Sequence, residues 1–402
     1  MKVGFSIKKI NPNIGCQMEG YAPRNSTGIH DDLTVSAIFI NNSFILISLD
    51  LIAIPGFRVD QIKRKLHEKF DINNNHIIIS AIHTHSGPTI TDLLIDYPKI
   101  DAEYWRLINN QAIKAVSDAK KNQSESTISL INYKVPDGIY ANRNNLKLPY
   151  NNNIFELRFS NNKVIKASLL LIATHPTVLN ITNTLISADL IAGIREQYRK
   201  IHDIIPMCML SDCADTSTRF TRKESSFNEI TRLSNIIGEA LQHPLKEKTL
   251  SWDLLAIKRV EQKCNYDPIS NPKAIDLYQE IQKKYNTAPN KEEKEKLVGL
   301  LDTYKHIRYF GHTHFSTSAY IYEFKNFRII TYPGELVFAL GNKIRHIDDK
   351  PTLLITLAND YRGYSVDKQE FGKYFESYNS VFLKGMADEF VDKIIATCAV
   401  LK

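Results

Sequence analysis

Two histidines one residue apart, His83 and His85 in AIHTHSGPT, close an apolar run, HIIISAI, that reads as a buried strand over 76–82. An imidazole can ligate a metal or carry a proton near neutral pH. Side chains along a strand alternate between faces, so a His-x-His on a strand aims both rings the same way. That arrangement suits one metal ion, or a metal ligand beside an acid/base group. It equally suits two ordinary histidines whose hydrogen bonds are satisfied locally.

Other reactive residues also stand just past apolar strands. Asp50 follows FILISL, and His175 follows LLLIAT. Asp212, Asp215 and Ser217 follow MCML, and Asn359, Tyr361 and Tyr364 follow LLITLA. Strand ends that converge on one rim of a sheet build a site on a rigid scaffold. A second His-x-His, His312 and His314 in GHTHFST, resembles a fragment of the two-metal phosphoesterases. Two cations about 3.5–4 Å apart need further ligands. The Asp-x-His and Asn-His-Asp/Glu elements that supply them are missing here, so this pair reads as loop residues.

Hydrophobic periodicity supplies the elements that must position these groups. Hairpins are expected over 36–51, turning on Asn41-Asn42, and over 154–175, turning on Asn161-Asn162. Amphipathic helices are expected over 59–70, 102–120, 188–201 and 226–243, and that over 102–120 puts Trp105, Ile108, Ala112 and Val116 on one face. A buried strand is expected over 204–210, a charged helical stretch over 270–306, and a helix over 334–345. Strands are expected at SAYIYEF, FRIITYP and TLLITLAND. Strands and helices mix throughout, without repeats or a Pro/Gly linker. The fold class is therefore mixed α and β: a single layered α/β domain over 1–380, sheets flanked by helices, with a helical tail over 381–402 packed on it.

The composition excludes several classes. A chain of 402 residues can bury about three-quarters of its unfolded surface without disulfide staples. Its five cysteines are odd in number and lack a Cys-x-x-Cys pair, which argues against a disulfide framework and a cysteine zinc site. The net charge of +7 is spread out, with no basic stripe interleaved with aromatics, so nucleic acid is not an expected partner. The stretch NKEEKEK at 290–296 mixes signs and reads as a solvated helix face. Neither a signal-peptide core nor an apolar run of membrane-spanning length is seen, so a cytoplasmic location is expected, with at most transient contact with a membrane surface.

Read together, GIHDDL (28–33), SLDL (48–51), HTHSGP (83–88), NR (142–143), ATHPTVL (173–179), ISADL (186–190), YPGEL (332–336) and NDYRGY (359–364) form an ordered set. That set resembles the catalytic domain of the neutral/alkaline non-lysosomal ceramidases over about residues 1–380. The resemblance implies a hydrolase of lipid metabolism acting on sphingolipid amides. It implies one zinc ion per chain, held by His83, His175, Glu335 and Tyr364. It places His85 as a further active-site histidine, Arg143 against the substrate or the developing oxyanion, and Tyr374 as a later active-site tyrosine at shortened spacing.

The chemistry of these residue types agrees. Two imidazoles and a carboxylate are a common catalytic zinc shell. Zinc lowers the pKa of bound water to near 7 and polarises a carbonyl. His85 could then carry a proton to the leaving amine. Asp50 and Asp189 are candidates to orient the histidines from behind, or simply caps of turns and helices.

Three departures shape the expectation. In LSDCADTSTR (210–219), Ala214 and Thr218 replace the Gly and Pro of the family's Gly-Asp-Val-Ser-Pro signature, whose serine falls on Ser217. A positive φ at Ala214 would cost about 1–2 kcal/mol and reshape that loop. Neither an immunoglobulin-like domain after this stretch nor an export signal before it is expected from the sequence. The expected function is zinc-dependent cleavage of an N-acyl amide of a ceramide-like or related lipid. The alternatives are an amidase or acyltransferase on a small soluble N-acyl substrate, or a non-catalytic binding relative.

Overall fold

Positive φ at paired turn residues sets the two hairpins. In a computed structural model that describes residues 1–21, 23–91, 100–266, 272–290, 293–294, 297, 301 and 313–401, Thr34–Ile40 and Phe44–Leu49 turn on Asn41 (φ 49°) and Asn42 (φ 54°). The second hairpin joins Asn153–Asn161 to Val164–Ile172. Its left-handed residues are Asn162 and Lys163, one position later than expected. The register shift between Phe159 and Ser160 accounts for this. Leu157 and Phe159 must face the core opposite Leu169 and Ala167, and one bulged residue then moves the tight turn along by one.

The architecture is mixed α/β, and three sheets share one device. The first runs Ile77–Ala81, Phe44–Leu49, Thr34–Ile40, Lys2–Lys9, Ser124–Glu125. The second runs Met207–Leu210, Val164–Ile172, Asn153–Asn161, Thr127–Lys134, Lys246–Leu250. The third runs Leu254–Tyr266, Thr313–Phe324, Arg328–Thr331, Thr352–Ile355. Each ends in one parallel pair at an edge: Phe44–Leu49 with Ile77–Ala81, Val164–Ile172 with Met207–Leu210, and Arg328–Thr331 with Thr352–Ile355. These pairs meet one another. Thr356 N–H donates to Leu210 O, Asn359 N–H donates to Ile79 O, and Ser80 Oγ donates to Thr356 O. The carboxyl ends of all three pairs thereby open in one place, where ligands of parallel strands bind.

Helices cover the sheets. Gly56–Phe70, Ala102–Lys121, Leu190–His202 and Phe227–Ala240 match expectation within a few residues. Asp101 caps Ala102–Lys121 by accepting from Glu103 N–H and Tyr104 N–H. That helix buries Ile108, Ala112 and Val116, with Trp105 half-buried at the border. Ser226 accepts from Glu229 N–H, the capping arrangement of Ser-x-x-Glu. Met386–Ala399 lays Phe390, Val391 and Ile394 into the core against the third sheet.

The expected helix over 334–345 begins only at Phe338. Glu335–Leu336 is a short strand, paired in parallel with Tyr364–Ser365. The long strand Leu254–Tyr266 was not anticipated, although its second half alternates buried and exposed in steps of two. Of the stretch 270–306, the helix Pro272–Thr287 is described; the residues at 270–271, 291–292, 295–296, 298–300 and 302–306 lie outside the described residues. No helix among the described residues is long and apolar enough to cross a membrane.

Candidate metal centre

His83 is not the last residue of its strand. It lies two residues past Ala81 with φ at 63°, in the left-handed region. Strand alternation therefore does not aim the two rings. The backbone turn does, held by His83 N–H on Leu51 O. The rings still converge: His85 Nε2 lies 3.2 Å from His83 Nε2. His175, past the end of Val164–Ile172, joins them, and the ligating atoms of the three histidines all lie within 4.8 Å of one another.

Each ring is fixed from behind by a backbone carbonyl. His83 Nδ1 meets Ile52 O at 2.7 Å, His85 Nδ1 meets Gly20 O at 2.9 Å, and His175 Nδ1 meets Cys213 O at 2.6 Å. A carbonyl only accepts, so each Nδ1 carries the proton. A neutral ring so held carries its lone pair on Nε2, and the three Nε2 atoms face one another. Gly20 is a position where only glycine fits: its φ is 98°, and a Cβ would lie 2.6 Å from the His85 ring.

Glu335 completes the cluster. Its Oε2 lies 2.8 Å from His175 Nε2 and 3.4 Å from His83 Nε2. All three side chains are buried. Burial disfavours ionisation of Glu335, but His83 and His175 more than offset it and hold its carboxyl well below the usual range. Burial draws His175 down to about 4, helped by Arg143 and His83 and opposed by Glu335. Burial, with His83 and His175, holds His85 well below the usual imidazole range. The cluster is thus one ionised carboxylate among three imidazoles, two of which, His85 and His175, are held neutral. This is the donor chemistry that a borderline-soft divalent ion such as zinc prefers, and the residues present fit that ion.

Tyr364 is the register partner of Glu335. Its hydroxyl accepts from Arg143 Nη2 at 3.1 Å. Burial and Glu335 push this phenol up, against Arg143. Arg143 is buried to a similar degree; the desolvation is more than offset by Tyr364, Glu376 and Glu335, so the guanidinium stays charged. Glu376 accepts from Arg143 Nε at 2.7 Å and from Asn144 Nδ2 at 2.8 Å. Glu376 was not singled out from sequence, and Tyr361 only as a reactive residue past a strand end, without a role. Tyr361 donates its hydroxyl to Glu335 Oε1 at 2.6 Å, and its place in NDYRGY was the available signal.

The 210–219 loop is a clamp. Asp215 accepts from Asn142 Nδ2 and Phe338 N–H, while its carbonyl takes Arg143 N–H. Burial pushes its carboxyl up to about 7; Glu376 and Asp212 add to this, and the bond from Phe338 opposes it. Ala214 is not among the residues of positive φ, so the strain considered for that replacement does not arise. Ser217 is buried opposite Ala141, and its Oγ accepts from Arg219 N–H at 3.1 Å. Tyr374 is half-buried ahead of the short helix Phe375–Tyr378, and its hydroxyl makes no hydrogen bond to the cluster among the described residues.

Of the two alternatives left open for Asp50 and Asp189, orienting a histidine is the one that neither residue follows. Asp50 does not back a histidine; it forms a buried bidentate pair with Arg195, at 2.7 and 2.8 Å. Asp189 caps Leu190–His202 and accepts from Val178, Leu179 and Leu190 N–H. Carbonyl oxygens fill the role foreseen for these carboxylates. His314 is exposed and bonds Asn265, apart from the cluster, and His312 lies outside the described residues.

A buried cluster of three imidazoles and a carboxylate, at the carboxyl ends of three parallel strand pairs, defines a candidate metal centre. Residues 2–195, which include His83, His85, Arg143 and His175, match the family model described as neutral/alkaline non-lysosomal ceramidase, N-terminal. The whole chain is similar in fold to a neutral ceramidase from Pseudomonas aeruginosa, with a TM-score of 0.71 at 14% identity, covering 99% of this chain and 74% of that one. It is similarly close to a structure described as ceramidase complexed with C2, with a TM-score of 0.72 at 14% identity, covering 99% of this chain and 75% of that one. No curated protein matches the sequence.

Proposed function

We propose that this chain is a zinc-dependent amide hydrolase of ceramidase type, which cleaves an N-acyl amide of a ceramide-like or related lipid into a carboxylic acid and an amine. The observation that carries the reading is the convergence of the three imidazole Nε2 atoms, each ring locked by a carbonyl, on the Glu335 carboxylate. The ceramidase family match and fold similarity support it.

In this reading His83, His175 and Glu335 hold the metal, with Tyr364 as a fourth ligand. Zinc held there would supply Lewis acidity toward the amide carbonyl and a nucleophile at neutral pH. His85 is neutral with Nδ1–H given to Gly20, so its Nε2 takes up a proton first and hands it to the leaving amine second. Arg143, steadied by Glu376, holds a permanent charge beside Tyr364 for the developing oxyanion, a contribution of about 3–4 kcal/mol for one such donor. Ser217 keeps a role in bonding a polar group of the substrate, with its oxygen already accepting from Arg219. Tyr374, just ahead of the short helix that carries Glu376, keeps the role of a later active-site tyrosine in this reading.

A second reading of His85 rests on its 3.2 Å approach to His83: it is a third imidazole ligand instead of a proton carrier. Native mass spectrometry of wild type and His175→Ala tests the main proposal. One zinc per chain, lost in the variant, supports it. Carefully prepared wild type that takes up no zinc overturns it.

A further inference from the structure

Beside the cluster lie two guanidinium groups that no carboxylate among the described residues neutralises. Arg24 donates Nε to Asn183 O at 2.7 Å and Nη2 to His85 O at 2.6 Å. Its third nitrogen, Nη1, is buried with no hydrogen-bond partner. Its guanidinium lies over the Tyr21 ring at 5.1 Å, and that ring lies 5.0 Å from His85. Arg222 donates Nη1 to Thr177 O at 2.7 Å, and Thr177 N–H donates to His175 O. The two arginines therefore grip the backbone on either side of the cluster, one at His85 and one beside His175.

The carboxylates nearby are otherwise engaged. Glu376 serves Arg143, Glu335 serves the imidazoles, and Asp189 serves three backbone N–H groups. Glu229, close in sequence to Arg222, pairs with Arg232. Burial lowers the Arg24 guanidinium to about 10, with Tyr21 opposing, as expected of a cation removed from water without an anion. Burial and Asp189 raise the Tyr21 phenol, while Arg222, Arg24 and Arg143 pull against them.

A buried polar nitrogen left unpaired costs on the order of 1–3 kcal/mol, so folded proteins rarely keep one without use. A cation without a paired anion also attracts ligands of the other sign. We infer that the site takes an N-acyl amide bearing an anionic group, a carboxylate or a phosphate, which Arg24 and Arg222 bind while the cluster faces the amide. This rests on the amide-hydrolase reading and narrows its substrate class away from a neutral ceramide.

The test uses the zinc-loaded full chain with matched amides: N-lauroylglycine, N-lauroyl phosphoethanolamine and neutral N-lauroyl ethylamine. In parallel, calorimetry compares the uncleavable dodecanesulfonyl amides of the same three amines. At least about a tenfold preference for an anionic member, in kcat/KM and in affinity, is expected from one charge-assisted contact. Preference for the glycine compound assigns a carboxylate, and preference for the phosphoethanolamine compound assigns a phosphate; either supports the inference. Arg222→Gln and Arg24→Gln should each erode the preference, and Arg222→Lys should retain part of it. If Arg24→Gln fails to fold, Arg222→Gln alone decides. Neutral amide cut and bound as well as the anionic ones overturns the inference and leaves the hydrolase standing. If no amide is cut, the hydrolase reading fails, and the sulfonamide affinities still decide for or against the anionic group.

Discussion

Glu335 and Tyr364 are direct partners in a two-residue parallel bridge, with Glu335 N–H on Gly363 O at 2.9 Å. One backbone contact thus sets the spacing of a carboxylate and a phenol supplied by chain segments 29 residues apart in sequence. Among the described residues Glu335 also touches both His175 and His83, whereas Tyr364 reaches Arg143. The two should therefore differ on substitution. Glu335→Gln is expected to lose most of the zinc, because it removes the carboxylate that meets both His83 and His175. Tyr364→Phe should keep zinc near one per chain and lose about 10–100-fold in amide cleavage. Zinc content and initial rates on the same preparations check both, and equal zinc loss in the two variants would refute the distinction.

His85 divides the two readings of the centre. As a proton carrier, His85→Ala keeps its zinc and loses about 10²–10⁴ in kcat. As a ligand, it loses zinc together with activity. His83→Ala and His175→Ala should lose zinc in either case. Metal analysis of the three variants, each checked for folding by circular dichroism, separates the outcomes.

Gly20→Ala is expected to damage the site from outside it. The new Cβ would meet the His85 ring at 2.6 Å, and the backbone sits at φ 98°. The conformational part alone costs about 1–2 kcal/mol. Displacing the ring should also break its bond to Gly20 O and lower activity. The control is Gly15→Ala, which shares a positive φ of 92° but has nothing within 4 Å. It should lose stability alone, so comparable activity in the two variants would argue against ring displacement.

What the sequence revealed and what it hid follow one physical line. Residues local to a strand end, His83, His85 and His175, were legible because apolar runs mark strands. The turn at Asn41-Asn42 was legible because asparagine tolerates the left-handed backbone. Glu335 was placed on a helix because GELVFALGNKIR has helical periodicity, and only the tertiary partner Tyr364 draws its first residues into a strand. Glu376 and Arg24 were hidden because their partners, Arg143 and His85, lie 233 and 61 positions away in sequence. The orienting groups were sought among aspartates, yet backbone carbonyls do that work, and every residue carries one. Asp50 was claimed by Arg195, a pairing that only the packing of a helix against a sheet creates.

Asp189 and Asp215 set a pH dependence of stability. Burial is the largest influence on each and raises both carboxyls to about 7 from an ordinary 3.8. For Asp189, the bonds from Leu179, Val178 and Leu190 oppose the shift and Asp31 adds to it. A carboxyl raised in the folded chain binds its proton more tightly there than in the unfolded chain. Its stabilising contribution is complete below the unfolded value, near 4, and is lost as pH rises through about 7. Each such group changes stability by about 1.4 kcal/mol per pH unit within that window. Asp189→Asn removes the titration but puts an amide N–H against a backbone donor, so it should be less stable than wild type at pH 5. The gap should then narrow steadily toward pH 8, because the variant keeps only the loss due to Asp215, whereas wild type also carries that of Asp189. Denaturant melts of the two zinc-loaded proteins between pH 5 and 8 measure that difference, in which metal loss common to both cancels. A gap constant with pH would show that Asp189 is ionised throughout, held by its three N–H donors against its burial.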